Sequence, residues 1–104
     1  MIMTSFEPKN CSIPQLQRLL SSSVAPRPIA LASTISSGGQ PNLSPFSFFN
    51  VFSTNPPILI FSPARRVRDN STKHTLQNVK QVKEVVINVV SYDIIQQVSL
   101  SSTE

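Results

Sequence analysis

Arg65, Arg66, Arg68, Lys73 and His74 fall within ten residues of one another. Charge gathered this tightly suits one small anion site better than a nucleic-acid surface, which needs a broad basic face. The following residues carry Leu76, Val79 and Val82 at helical spacing, with Ser71 or Thr72 placed to cap a helix. Lys73, His74 and Thr75 then fall in its first turn. A helix N-terminus already carries partial positive charge, so cations there conflict with local preference. A bound phosphate removes the conflict by accepting bonds from the free backbone N–H groups and from Lys73. Solvated, unpaired cations would produce the same pattern.

A second chemistry-bearing stretch lies upstream, Asn42-Leu43-Ser44-Pro45-Phe46-Ser47-Phe48-Phe49-Asn50. Read as a strand continuing to Ser53, it alternates. Phe46, Phe48, Asn50 and Phe52 share one face, and Ser47, Phe49, Val51 and Ser53 the other. Closely spaced phenylalanines call for burial, whereas the serines and asparagines among them call for hydrogen-bond partners. Such a strand suits the wall of a pocket for a large, flat, partly polar ligand. A core strand with its polar residues facing water fits the same residues.

The elements that must position these stretches are legible in outline. Ser12-Ile13-Pro14-Gln15 reads as a capping box opening a helix with an apolar stripe of Ile13, Leu16, Leu19 and Leu20. That helix fades in Ser21-Ser22-Ser23, and Pro26 and Pro28 impose extended backbone. Residues 29–35 read as a strand with bulky Ile29, Leu31 and Ile35 on one face and small Ala30, Ala32 and Thr34 on the other. The small face leaves room for another body, or matches large residues on a facing sheet. Ser36-Ser37-Gly38-Gly39-Gln40 predicts a hairpin turn, and Asn55-Pro56-Pro57 a second break. Residues 58–62 are apolar on both faces, which predicts a central, doubly covered strand. Residues 85–90 form the clearest strand, and Ser91 or Asp93 can cap a last helical piece with Ile94, Ile95 and Val98. The sum is four strands and three helical pieces, with antiparallel pairing favoured.

Bulk properties narrow the class. A chain of 104 residues suits one domain able to bury about 65% of its unfolded surface. Charged residues make up only 13%, so a partner subunit covering part of the surface is expected. One cysteine, Cys11, allows neither an internal disulfide nor a thiolate metal site, and suits a cytoplasmic setting. No apolar run approaches the roughly 20 residues of a membrane span, and the N-terminus lacks a secretory layout. Gly38 and Gly39 are the only glycines, so a glycine-rich phosphate loop is absent.

Three motifs carry a resemblance. Ser23-Val24-Ala25-Pro26-Arg27-Pro28-Ile29-Ala30-Leu31, then residues 42–50, then Pro56-Pro57 with Phe61-Ser62 and Lys73-His74-Thr75-Leu76-Gln77-Asn78, resemble the flavin reductase-like, FMN-binding split-barrel family in order and spacing. The resemblance covers most of residues 20–90. It implies a mainly β fold, an antiparallel split β-barrel with short helices, formed by a single domain over residues 1–104. Family members commonly run longer, so the barrel is expected to be partial, truncated at its C-terminus.

The resemblance further implies FMN as cofactor, NAD(P)H as electron donor and a homodimer, with neither nucleic acid nor membrane as partner. Carried over by position, Thr34 would lie along the cofactor. Ser44, Pro45, Phe46, Ser47, Phe48 and Asn50 would hold the isoalloxazine and ribityl region. Ser62, Arg65, Lys73 and Thr75 would sit nearest the phosphate, with Arg27 at the same end. Ser47 and Asn50 are the chosen flavin-tuning contacts, and Phe48 can stack. His74 stands where many relatives have Asp and is not assigned as a catalytic base. The cofactor carries the redox step, which accounts for the lack of an acid–base pair. A non-catalytic FMN-binding module is the second reading. A small basic β-domain for nucleic acid is the third, opposed by the clustering of the charge.

Overall fold

The computed structural model describes residues 2–66 and 69–102. The expectation for Arg68 therefore lies outside the described residues. A single 3₁₀ turn, Pro8–Asn10, precedes helix α1, Ile13–Ser23. The capping box closes α1 as expected: the Ser12 hydroxyl accepts from Gln15 N–H, and the Gln15 side chain accepts from Ser12 N–H at 2.8 Å. Ser22 and Ser23 stay helical, donating their hydroxyls back to carbonyls of the preceding turn.

Strand β1, Ala30–Ile35, is the centre of a three-stranded antiparallel sheet in the order β2-β1-β5. Strand β2, Pro41–Phe46, returns through the predicted hairpin and pairs Ala30 with Phe46 and Ile35 with Pro41. Gly39 takes φ +86° in that turn, a conformation other residues adopt at a cost. Strand β5, Val86–Val89, covers the other edge of β1. Helix α2, His74–Val82, packs on β1, and helix α3, Ile95–Ser101, packs on β2. The small face of β1 is thus filled by α2, with Ala30 and Ala32 fully buried. Thr34 accepts a hydrogen bond from the Asn78 amide at 3.1 Å inside this layer.

Some of these expectations need correction. The aromatic stretch is not one strand. It bends at Ser47 and Phe48 and resumes as β3, Phe49–Thr54, in a separate sheet with β4, Pro57–Phe61. Five strands form among the described residues, where four were expected. The alternating faces therefore do not persist: Phe46 is buried, whereas Phe48 and Phe52 are exposed. Strand β4 is not central, since β3 is its hydrogen-bonded neighbour among the described residues and Leu59 is 52% exposed. Helix α2 begins later than its best capping residues. Lys73 occupies the N-cap without a side-chain cap bond, while the Ser71 hydroxyl donates to Asp69 and accepts from Arg66, and the Thr72 hydroxyl accepts from Gln77. Ser91 makes no cap bond either: it precedes a 3₁₀ turn, Tyr92–Ile94, that leads into α3.

The Asn78–Thr34 bond is a test of the packing. Asn78→Ala leaves a buried hydroxyl without its donor and is expected to cost about 1–3 kcal/mol in urea unfolding. Thr34→Val combined with Asn78→Leu removes both polar groups and is expected to recover part of that loss.

Candidate functional site

The site forms around the bend at Ser47 and Phe48. Here the chain leaves one sheet for the other, and its backbone groups need new partners. Ser62 N–H donates to Phe48 C=O at 2.9 Å, which fastens the bend to the residue following β4. The rings of Phe46 and Phe61 meet at 5.3 Å between centroids, tilted by 34°. The ends of β2 and β4 are therefore held side by side, and the chain leaving β4 runs directly into the cationic loop.

That loop is ordered by its own polar groups. Arg66 donates to Thr72 C=O at 2.7 Å and to the Ser71 hydroxyl at 3.1 Å. Its backbone carbonyl accepts from Asn70 N–H. Asn70 takes φ 58°, a left-handed conformation that asparagine tolerates. Asp69 accepts from both the backbone and the hydroxyl of Ser71. Arg65 donates to Asn70 C=O at 3.0 Å.

From the other side, Arg27 reaches in between two prolines. It donates to Ser47 Oγ at 3.3 Å, to Ser21 C=O at 2.6 Å and to Val24 C=O, and its guanidinium carbon lies 5.7 Å from the Phe48 ring centre. Lys73 Nζ lies 5.1 Å from the Phe46 ring centre, within cation–π range.

These groups enclose a cavity of about 500 Å³, a size typical of small-molecule sites. Arg27, Arg65, Arg66 and Lys73 contribute four cationic side chains to its lining, and no carboxylate does so among the described residues. Phe46 and Phe48 supply aromatic surface, Ser47 and Ser62 hydroxyls, and Pro45 part of the wall. An apolar cleft of about 400 Å³ adjoins it and shares Arg27, Ser47, Phe48 and Ser62. A polar cavity of about 280 Å³ shares Arg66 and Lys73.

Of the twelve residues assigned from the sequence, eight line the main cavity: Arg27, Pro45, Phe46, Ser47, Phe48, Ser62, Arg65 and Lys73. Asn50 lines the apolar cleft, where its side-chain oxygen accepts from Val51 N–H. Ser44 and Thr75 line the polar cavity. Thr75 is 1% exposed and accepts from the Asn42 amide at 3.0 Å. Thr34 lines none of the three, because it is covered by α2. Gln17, Ser21, Ala64 and Arg66 line the main cavity without having been assigned to it. Arg66 was visible in the charge cluster. Gln17 and Ser21 lie four apart on α1, a polar pair on one helix face that gave the available signal.

Comparison with known proteins identifies the family and the fold. The sequence pattern of the flavin reductase like domain matches residues 22–103. The chain is 43% identical over 89 residues to an uncharacterized protein of Aquifex aeolicus, covering 86% of this chain and 45% of that protein. It is 39% identical over 97 residues to the uncharacterized protein YwrF of Bacillus subtilis, covering 93% and 46%. Among solved structures, nitrilotriacetate monooxygenase component B from Bacillus cereus superposes with TM-score 0.90 at 25% identity, over 99% of this chain and 52% of that one. The 2-nitrobenzoate 2-nitroreductase NbaA of Pseudomonas fluorescens superposes with TM-score 0.77 at 29% identity, over 97% and 48%. The chain belongs to the flavin reductase-like family and has its mainly antiparallel split-barrel fold, the fold of flavin-related oxidoreductases. It spans about half the length of these relatives. No helix among the described residues is long and apolar enough to cross a membrane.

The surplus of cations makes anion binding measurable without any cofactor. At constant ionic strength, millimolar inorganic phosphate is expected to raise the melting temperature of the chain. Lys73→Ala is expected to reduce that increment, and thermal melts with chloride as the matched salt check both.

Proposed function

We propose that the chain binds FMN at the bend between β2 and β3 and serves an oxidoreductase in which NAD(P)H reduces flavin. The observation that carries this reading is the main cavity itself: aromatic and hydroxyl groups from the bend face four cations with no carboxylate among the described residues. That donor set fits a ligand with a flat aromatic ring system at one end and a phosphate at the other. Isoalloxazine, ribityl and phosphate together match it, and the family's flavin-related fold supports the match.

Lys73 and Arg66 form the wall between the main and polar cavities, so an anion in either one meets them. Arg65 adds charge from the loop. Ser47 and Ser62 offer hydroxyls at the junction with the apolar cleft, where Phe48 and Asn50 border the space for a ring. When bound, the flavin supplies hydride acceptance, a step that needs no protein acid or base. The protein's part is to bind, orient and limit water. The exposed apolar side chains of β3 and β4, with Phe52 65% exposed, support a homodimer that covers them.

The test uses the two flavins that differ by the phosphate. The unsubstituted chain is expected to bind FMN more tightly than riboflavin by fluorescence quenching. Lys73→Ala is expected to weaken FMN about tenfold more than riboflavin, the loss of one charge-assisted contact. Equal weakening of both removes Lys73 from the phosphate. Oxidation of NAD(P)H with added FMN, followed at 340 nm, separates an active reductase from a binding module.

A further inference from the structure

Arg27 is the one cation of the main cavity that is bonded to the end of a helix. Helix α1 has no basic residue in its last turn. Its final carbonyls carry partial negative charge and lack helical partners. Arg27 supplies the missing cation, bonding Ser21 C=O and Val24 C=O with both hydrogens of one terminal nitrogen. Its Nε–H goes to Ser47 Oγ. Three of its five N–H donors are thus committed to protein acceptors. Pro26 and Pro28 on either side restrict its backbone, which fixes where the fork can reach. The guanidinium also lies over the Phe48 ring.

The bond to Ser47 has a directional consequence. A serine hydroxyl has one hydrogen and two lone pairs. Once a guanidinium N–H donates to the oxygen, the hydroxyl hydrogen is turned away from that cation, and the oxygen is polarised into a stronger donor. Ser47 lies where the cationic cavity and the apolar cleft meet. A ligand acceptor at that point meets the hydroxyl hydrogen, and the ring nitrogens and carbonyls of an oxidised flavin are acceptors.

We propose that Arg27 is a positioning residue: it caps α1, locks the bend between the two sheets, and fixes Ser47 as a hydrogen-bond donor to the ring system of the ligand, leaving the phosphate to Lys73, Arg65 and Arg66. This assignment rests on the flavin reading. It replaces the expectation that Arg27 sits at the phosphate end.

The experiment compares the unsubstituted chain with Arg27→Gln, Arg27→Lys, Ser47→Ala and Ser47→Thr. FMN and riboflavin affinities are read by fluorescence quenching, and the bound flavin by its visible absorption spectrum. Arg27→Gln is expected to weaken both flavins by the same factor, about three- to tenfold, so the FMN-to-riboflavin preference stays at its unsubstituted value. A preference that falls overturns the proposal, because it returns Arg27 to the phosphate. Arg27→Gln and Ser47→Ala are expected to displace the flavin spectrum alike, with no further change in the double variant. Ser47→Thr keeps the hydroxyl and is expected to restore the spectrum. An unaltered spectrum in Arg27→Gln or Ser47→Ala overturns the positioning role, whatever happens to stability. If Arg27→Gln does not fold, Arg27→Lys keeps the charge but loses the fork. A displaced spectrum in it supports the proposal, and an unaltered one overturns it. Failure of the unsubstituted chain to bind either flavin overturns the flavin reading and this inference together. Binding with a changed preference overturns this inference alone.

Discussion

The structure depends on the change of sheet at Ser47 and Phe48. A strand that leaves one hydrogen-bonded ladder for another has residues at the corner with no ladder partner, and buried backbone groups left that way are costly. Here the corner is satisfied from outside the sheets. Ser62 N–H takes the Phe48 carbonyl, Arg27 takes the Ser47 hydroxyl, and the Phe46–Phe61 contact closes the apolar side. Each of the three contacts also brings a distant part of the chain to the corner. Ser62 brings the start of the cationic loop, Arg27 brings the end of α1, and Phe61 brings β4. The cavity is the space left between parts that the corner has drawn together.

This explains why hydroxyls are interleaved with phenylalanines in the middle of the chain. The polar residues there were read as oddities for a core strand, which suggested a ligand. Their first use is structural, since Ser47 serves the corner. The same residue lines both the cationic cavity and the apolar cleft, so the corner and the cavity wall are one feature.

Much of the secondary structure was legible because it rests on local chemistry. The Ser12–Gln15 capping box, the Gly38-Gly39 hairpin and the β-branched run of β5 each specify themselves within a few residues. The sheet change was not legible, because alternation of side chains continues through a bend, and sequence period records faces rather than hydrogen-bond partners. The start of α2 was misplaced for a related reason. Ser71 and Thr72 are better caps than lysine, but their hydroxyls are engaged by Asp69 and Gln77, contacts that the loop's fold creates. Thr34 was placed along the cofactor by the family resemblance, on a strand face small enough to leave room for another body. Helix α2 uses that room instead, and Asn78 satisfies the hydroxyl. Among site residues, those grouped by charge or by motif were found. Gln17 and Ser21 share a polar face of α1, but which surface that face meets is set by the docking of the helix.

Four cations around one cavity repel one another, and the way each is held determines what the cavity can bind. Arg65 donates to a backbone carbonyl of its own loop, and Lys73 rests against the face of Phe46. Carbonyls and ring faces are neutral. They orient a cation without cancelling its charge, so its field remains directed at the cavity. Arg27 differs, because the carbonyls it meets are the negative end of a helix, where the aligned peptide dipoles offset part of its charge. Beside Arg27 and Phe48, where the apolar cleft begins, that offset leaves less uncompensated positive charge than beside Arg65 and Lys73. A ligand charged at one end and flat at the other has a single favoured orientation in such a gradient: anion toward the loop, ring toward the corner. On the flavin reading, that orientation would bring the hydroxyl of Ser47 to the ring rather than to the anion.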